Sequence, residues 1–247
     1  MRIILTRQPA QAGQIEAGLE RLGHRIGFLP LTDFQLPHDP TALDDMIADL
    51  HAGRWQRLLL TSPNTIRALA ARGWQPEATE AHTGIAVTGP GTARVLTAHG
   101  ATRTPWMPTY DASAAGILEQ FPPGPGTLAL PQGAAAGDAM RNGLTNRGWD
   151  VTHVIAYHTV DYPAIPELAL LPNHDGALQP ADLNPDDVVV LTAPSAARRW
   201  ARLGLEVAAV IAIGQPTRRA AETHHIDLAA TATSPDAAGI AEVLNNL

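Results

Sequence analysis

The stretch that decides the fold is residues 58–64, LLLTSPN, in which three leucines run directly into a Thr-Ser-Pro-Asn turn. A second version of it follows at residues 189–195, VVLTAPS. Each version joins a short apolar run, typical of a buried strand, to a proline and small polar residues, typical of a helix start. The pair predicts the same strand–helix unit in both halves of the chain.

Three further blocks repeat in the same order. Residues 85–93 match 210–218, residues 114–117 match 237–240, and Gly18-Leu19 with Gly23 matches Gly143-Leu144 with Gly148. The four offsets are 131, 125, 123 and 125 residues. A false repeat rarely keeps its order over four blocks, so the chain is predicted to contain two similar units.

Short strands alternate with amphipathic helices along the chain. The predicted strands are residues 2–6, 57–60, 84–87, 127–130, 151–156, 188–191 and 208–213, and the predicted helices include 11–22, 41–50, 64–71, 92–98 and 235–244. This alternation predicts an α/β fold with parallel sheets covered on both faces and a ligand cleft between the two domains. Residues 163–187 carry five prolines and are expected to form a loop with at most a short helix.

Composition excludes several classes of chemistry. The 247 residues include no cysteine, which excludes thiolate nucleophiles, disulfides and Cys-ligated metals. All 17 cationic residues are arginines, which excludes Schiff-base lysine chemistry and a Walker A lysine. The net charge of −7 argues against a nucleic-acid partner. The first residues resemble a strand rather than a signal peptide and the longest apolar runs are short, so a cytoplasmic protein without membrane association is expected.

The repeated motifs share one position, the carboxyl end of a strand that leads into a helix. Helix starts present free N–H groups and a partial positive charge, which bind anions, and ligands of open α/β sheets bind at such strand ends. The alternative is that these residues only cap helices, with Asn64 and Ser195 suited to that task. Both interpretations stay open.

Two single residues have the same ambiguity. Arg7, after the first predicted strand, can meet an anionic ligand or pair with a carboxylate of the chain. Tyr157 can present its phenol to a cleft or pack as an aromatic at a strand end.

In their order along the chain, these motifs resemble the uroporphyrinogen-III synthase family. The resemblance rests on Thr6-Arg7, the TSPN turn at 61–64, GPGTA at 89–93, Tyr157, the TAPS turn at 192–195 and GQPT at 214–217. It implies two α/β domains joined by a two-stranded linker. The first domain would comprise residues 1–32 and 161–247, the second 37–155, and the linkers 33–36 and 156–160.

The resemblance also implies an activity. The family cyclises hydroxymethylbilane, a linear tetrapyrrole, to uroporphyrinogen III and water with inversion of ring D, a lyase reaction of haem and other tetrapyrrole biosynthesis. It implies no metal and no organic cofactor, a monomer, and a transient hand-over of substrate from hydroxymethylbilane synthase.

Residue roles follow from the same resemblance. Tyr157 would assist departure of the substrate hydroxyl. The substrate-binding residues would be Arg7, Thr61, Ser62, Asn64, Gly89, Thr92, Gly133, Thr192, Ser195, Gly214 and Thr217. Two departures stand out: Ala193 occupies a position where the family often has serine, and Gln132-Gly133 with Asp138 replaces an Arg-Gly and a later arginine.

Two other functions remain open from the sequence. A non-catalytic two-lobed module that binds an anionic ligand or regulates would use the same fold, and the altered second motif favours it. An unrelated two-domain binder of a nucleotide or sugar is the third hypothesis, although no complete GxGxxG motif is present.

Overall fold

A computed structural model of the chain describes residues 1–171 and 175–246. The chain divides into two units. The first comprises Met1–Asp33, Val160–Pro166 and the described part of Leu171–Leu247, and the second comprises Phe34–Thr159 and Glu167–Leu170.

Both units are built from short strands and helices. In chain order the strands are β1 (Arg2–Leu5), β2 (Arg25–Phe28), β3 (Thr32–Gln35), β4 (Arg57–Leu60), β5 (Gly84–Val87), β6 (Gly126–Gly133), β7 (Trp149–Asp161), β8 (Val188–Leu191), β9 (Ala209–Ala212) and β10 (Ala230–Thr231). The α-helices are α1 (Gln14–Arg21), α2 (Thr41–His51), α3 (Pro63–Ala71), α4 (Pro76–Glu80), α5 (Pro90–Ala98), α6 (Ala114–Gln120), α7 (Ala139–Asn146), α8 (Pro194–Trp200), α9 (Gln215–Thr223) and α10 (Ala237–Leu244).

Each unit has its own five-stranded sheet. The first has the strand order β10-β9-β8-β1-β2, and all its neighbouring strands are parallel. The second has the order β3-β7-β6-β4-β5, with parallel pairing from β7 to β5. The predicted α/β class with parallel sheets is therefore confirmed.

The central strands are buried on both faces. Leu58 and Leu60 of β4 pack into one apolar cluster, whereas Leu59 between them packs into another. In the first sheet, Ile4 and its neighbour Ile3 enter different clusters in the same way. Successive side chains of a strand point to opposite faces, so a continuous apolar run is required when helices cover both sides.

The repeated glycines have a physical cause. Gly23 follows α1 with a φ of 87°, and Gly148 follows α7 with a φ of 90°. A residue that leaves a helix in this left-handed conformation is usually glycine, because a β-carbon is strained there. The repeat thus preserves the same helix exit in both units.

Three of the strands were not predicted from the sequence. Strands β2, β3 and β10 are two to four residues long and lack a continuous apolar run. Each lies at an edge of its sheet, where the apolar pattern is weak. β2 and β10 are only partly buried, whereas β3 is buried but consists mostly of polar residues.

The segment 163–187 is mostly irregular, as its prolines predict. Its described residues contain one helical turn, the 3₁₀ turn Pro180–Asp182, and Pro172 lies outside the described residues. Glu167–Leu170, expected in the first domain, belongs to the second unit. The reason is pairing beside β3, since Leu36 donates its backbone N–H to Leu168 and Leu170 donates to Phe34.

The expected linkers, residues 33–36 and 156–160, contain points at which the chain passes from one unit to the other, after Asp33 and after Thr159. Residues 33–35 belong to β3 and residues 156–160 belong to β7, which neighbours β3 in the second sheet.

Candidate active site

The start of α3 is fixed by a serine and a proline. Ser62 is the N-cap, in extended conformation, and its Oγ accepts a hydrogen bond of 3.1 Å from the backbone N–H of Asn64. Pro63 is the first helical residue, where its missing N–H costs nothing. The prediction that Asn64 and Ser195 act as N-caps is therefore wrong. The residue before such a proline is held extended, and it takes the cap position itself.

Tyr157 of β7 reaches this helix start. Its hydroxyl donates to Ser62 Oγ at 3.3 Å, and its ring lies edge-on to Phe34 with centroids 5.9 Å apart. The ring is half-buried at the margin of the core. The ring of Tyr157 therefore packs, as the second interpretation predicted, and its hydroxyl joins a polar cluster at the strand ends.

Gly133 makes that position of the tyrosine ring possible. It pairs with Tyr157 across β6 and β7, at a point where the register of the two strands shifts. A β-carbon at Gly133 would lie 2.7 Å from Cζ of Tyr157, closer than such contacts occur in proteins.

Thr61 and Gln132 complete the cluster. The amide Nε2 of Gln132 donates to Thr61 Oγ1 at 3.3 Å, which connects the end of β6 to the end of β4. Gln132 is buried, whereas Thr61 is half-buried and accessible in part. The structure therefore brings together five predicted residues: Thr61, Ser62, Asn64, Gly133 and Tyr157.

Gly89 and Thr92 lie at the start of α5, after the neighbouring strand β5. Gly89 is the N-cap, and a β-carbon there would lie 2.8 Å from Cβ of Ala112. Thr92 is buried, and its backbone N–H donates to the Gly89 carbonyl. No described contact joins these two residues to the Tyr157 cluster, although both follow strands of the same sheet.

The first unit has a corresponding set of polar strand ends. Thr192, at the end of β8, donates its backbone N–H to Thr6 Oγ1 at 3.0 Å, and the two hydroxyl oxygens lie 3.3 Å apart. Thr6 also donates to the Val190 carbonyl. These bonds join β1 and β8 at their carboxyl ends.

Helices α8 and α9 begin beside those strand ends. Ser195 is the second residue of α8, whose N-cap is Ala193 and has no side-chain hydrogen bond. Gly214 is the N-cap of α9, and Thr217 lies buried in its first turn. Open space lies where a β-carbon of Gly214 would project, so its backbone is accessible to a ligand.

Arg7 is engaged in an ion pair within the first unit. Its guanidinium forms an ion pair with the buried carboxylate of Glu16, with Nε 2.7 Å from Oε1. Glu16 also accepts the backbone N–H of Gly13. Of the two interpretations of Arg7, pairing with a carboxylate of the chain is therefore observed, and the partner is Glu16 of α1.

Sequence reasoning missed Arg67. It lies in α3, half-buried, and its Nη1 donates to Asn64 Oδ1 at 2.7 Å. Burial lowers the pKa of this guanidinium, although an arginine stays protonated at neutral pH. An arginine on an amphipathic helix is normally solvated, so the hydrophobic pattern gave no indication that Arg67 is partly buried.

Among the described residues, the strand ends offer hydroxyls, backbone N–H groups and, in the second unit, the guanidinium of Arg67, and groups of these kinds suit a carboxylate-bearing ligand. Among the described residues, no three histidine or acidic side chains converge as they would around a metal ion. Within the same residues, each helix falls short of the length and apolarity needed to cross a membrane.

Comparison with known proteins gives consistent results. Residues 13–242 match the family described as "Uroporphyrinogen-III synthase HemD". The rice protein (Oryza sativa subsp. japonica) named "Uroporphyrinogen-III synthase, chloroplastic" is 29% identical over 232 residues, which cover 89% of this chain and 72% of that protein.

Solved structures share the fold at low identity. The uroporphyrinogen-III synthetase of Helicobacter pylori 26695 aligns with a TM-score of 0.62 and 15% identity, covering 100% of this chain and 99% of that one. A mutant uroporphyrinogen III synthase of the extremely thermophilic bacterium Thermus thermophilus aligns with a TM-score of 0.58 and 18% identity, covering 100% of both chains.

Proposed function

This chain belongs to the uroporphyrinogen-III synthase family, and we propose that it cyclises hydroxymethylbilane to uroporphyrinogen III and water. The pyrrole electrons of the substrate expel its terminal hydroxyl, which leaves as water after gaining a proton. The resulting azafulvene is attacked within the same molecule, and ring D is inverted through a spiro intermediate. The proton lost when the macrocycle regains its aromatic pyrroles balances the one taken up by the leaving hydroxyl.

This reaction needs little chemical machinery from the protein, because the substrate carries its own reactivity. The free bilane closes spontaneously to the isomer without inversion. The enzyme must hold the chain so that the inverted ring closes first, which is catalysis by positioning. Family membership and a site made of hydroxyls and backbone donors both fit that requirement.

We assign substrate binding to the polar strand ends of both units. The substrate has eight carboxylates, whereas the protein carries a net charge of −7 and no lysine. Helix starts and hydroxyl groups bind anions without adding full charges. The predicted residues that fit this role are Thr61, Ser62, Asn64, Gly89, Thr92, Gly133, Thr192, Ser195, Gly214 and Thr217. Arg7 would have to bind the substrate while paired with Glu16.

The assignment of Tyr157 rests on one contact, its hydroxyl 3.3 Å from Ser62 Oγ. Ser62 is anchored by its cap bond to Asn64 and orients the phenol at the strand ends. When substrate is bound, the single O–H of the phenol can turn from Ser62 Oγ to the departing hydroxyl, as general acids do within hydrogen-bonding reach, and the Ser62 hydroxyl can then donate to the phenol oxygen. Ser62 then acts as a positioning residue.

A coupled assay tests the function. Hydroxymethylbilane is supplied freshly by its synthase, and the oxidised products are separated by isomer. Excess isomer III over a control without this protein is the expected result. Isomer I alone, from protein with a cooperative unfolding transition, would contradict the proposal and favour a non-catalytic binding module. The absence of a side-chain cap at Ala193 is the observation that favours that second function.

We also propose that the bilane reaches this protein directly from its synthase, in the cytoplasm, and that the protein acts as a monomer. Hand-over is favoured by the short life of the free bilane. The fraction of isomer III should rise with the amount of this protein in both of two assays, one with an active synthase and one with pre-formed bilane. The rise should be steeper when the synthase supplies the bilane. Size-exclusion chromatography tests the monomer.

A further inference from the structure

Arg67 is placed beside the polar cluster by its own helix. Its guanidinium turns back along α3 and donates from Nη1 to Asn64 Oδ1 at 2.7 Å. Asn64 is 7% exposed and lies in the first turn of the helix, directly after β4. The side-chain amide thus holds the cation beside Asn64, whose backbone N–H binds the same Ser62 Oγ that Tyr157 contacts.

The charge of Arg67 is not neutralised within the described residues. No carboxylate lies within ion-pair distance of it there, whereas Arg2, Arg7, Arg54, Arg72, Arg141, Arg199, Arg202 and Arg218 all have carboxylate partners. The other arginines without one are mostly exposed to water. A half-buried cation without a counter-charge is unfavourable, and burial accordingly lowers the pKa of Arg67.

Two other half-buried arginines lack a carboxylate but lie elsewhere. Arg57 begins β4 and lies against Gly84, at the amino end of its strand. Arg147 follows α7 and donates to the carbonyl of Phe121. Among the described residues, Arg67 is therefore the half-buried, uncompensated arginine at a carboxyl strand end, where ligands of such sheets bind.

We propose that Arg67 binds a carboxylate of the linear tetrapyrrole, with Asn64 as the residue that positions its guanidinium. This inference rests on the proposed function and adds a specific contact to it. A carboxylate would supply the missing counter-charge and accept two parallel N–H bonds from the guanidinium plane. The bond to Asn64 uses one N–H and leaves the others for the ligand.

The second half of the chain limits the inference to one arginine. Arg198 occupies the matching position in α8, four residues after Pro194 as Arg67 is after Pro63. Arg198 is exposed, so water already solvates its charge. The repeat therefore preserves an arginine here, but only Arg67 is desolvated.

The test compares Arg67→Gln and Arg67→Lys with Arg72→Gln. Arg72 follows the other end of α3 and pairs with Asp44 at the surface, so its substitution makes the same charge change on the same helix. For Arg67→Gln we expect the KM for hydroxymethylbilane to rise about tenfold with little change in kcat, as when a charge-assisted hydrogen bond is lost. More isomer I should form as well, because unbound bilane closes spontaneously. Arg67→Lys should recover only part of the loss.

Two further measurements separate binding from a structural role. Affinity for uroporphyrinogen III, kept reduced, should depend less on salt in Arg67→Gln than in the wild type, because one screened charge contact is gone. The melting temperature should stay the same or rise, since an uncompensated buried charge is removed.

Three outcomes would contradict the proposal. If Arg67→Gln has the KM and salt dependence of the wild type, the role of Arg67 is wrong. The proposed function still stands in that case, provided that the wild type forms isomer III. If Arg67→Gln and Arg72→Gln raise the KM equally, the change in net charge and not a specific contact of Arg67 weakens substrate binding. A melting temperature several degrees lower with unchanged affinity would mean a structural role. Failure of the wild type to form isomer III would instead overturn the proposed function.

Discussion

The ring of Tyr157 lies against the backbone of Gly133, so that a β-carbon there would come within 2.7 Å of Cζ and 2.9 Å of the phenol oxygen. The two residues are partners in β7 and β6. The hydroxyl of the same ring binds Ser62. The polar cluster therefore depends on the absence of a side chain at residue 133. Glycine is needed here for close approach and not for an unusual φ angle.

Gly133→Ala should therefore displace the Tyr157 ring. We expect a loss of about 1–3 kcal/mol in the free energy of unfolding, typical of overpacking, together with slower formation of isomer III. Urea denaturation and the coupled assay measure the two effects. Gly137→Ala is the control, because nothing lies within 4 Å of a β-carbon at Gly137. Equal behaviour of the two variants would contradict the role of Gly133.

Tyr157→Phe removes the hydroxyl and keeps the ring contacts with Phe34 and Gly133. We expect kcat for isomer III to fall about 10- to 100-fold, which is at or below the lower limit of what a general acid contributes, because the substrate expels its own hydroxyl. Tyr110→Phe is the matched control, since that tyrosine is 72% exposed. Full activity of Tyr157→Phe would leave the function standing and remove this residue from the mechanism.

The fold was predictable where burial leaves a continuous pattern. Strands β4, β5 and β8 have the predicted bounds, because each is a four-residue segment buried almost throughout. The edge strands β2 and β10 were missed, since half-exposed positions tolerate glycine and polar residues. The hydrophobic pattern of the sequence predicts strands that are fully buried and does not predict strands that are only partly buried.

The candidate site was predictable as residue types but not as contacts. The repeat pointed to both strand ends, yet the N-cap was placed at Asn64 instead of Ser62, because the proline shifts the cap to the residue before it. Arg7 was a candidate that Glu16 neutralises, and Arg67 was overlooked. Whether an arginine has a partner depends on tertiary contacts, which local periodicity does not contain.

The two repeated helix starts differ in one side chain, which gives a reciprocal prediction. Ser62 caps α3 at φ −153° and ψ 145°, and Ala193 begins α8 at φ −158° and ψ 157° without a cap bond. Ala193→Ser should therefore stabilise the protein by about 0.5–1 kcal/mol, and Ser62→Ala should destabilise it by about 1 kcal/mol. Chemical denaturation measures both.

Activity separates the two substitutions further. Ser62→Ala should also slow isomer III formation, because Tyr157 loses its hydrogen-bond partner. Ala193→Ser should leave the rate within about twofold of the wild type, since the new hydroxyl would be engaged in the cap bond and Tyr157 has no described contact with α8. A destabilising Ala193→Ser would mean that the backbone match between the two helix starts does not extend to their surroundings.

Acid stability should depend on Asp187, whose carboxylate is 2% exposed and accepts two bonds from Arg2, at 2.7 and 2.5 Å. The hydrogen bonds from Arg2 hold the pKa of Asp187 below its usual range. A carboxyl with a lower pKa in the folded than in the unfolded state stabilises the protein above its unfolded pKa of about 3.9. That stabilisation is lost as the pH falls from there through the folded value.

Asp187→Asn should therefore lower the free energy of unfolding at pH 7 by about 2 kcal/mol or more, because it leaves Arg2 without its partner. The difference from the wild type should shrink as the pH falls below about 4, since the wild-type carboxyl is then protonated as well. Asp44→Asn is the control, because the carboxylate of Asp44 pairs with Arg72 while 39% exposed, and exposed pairs contribute little. A constant difference between wild type and Asp187→Asn from pH 7 down to the lowest pH at which both fold would mean that this carboxyl does not govern acid stability.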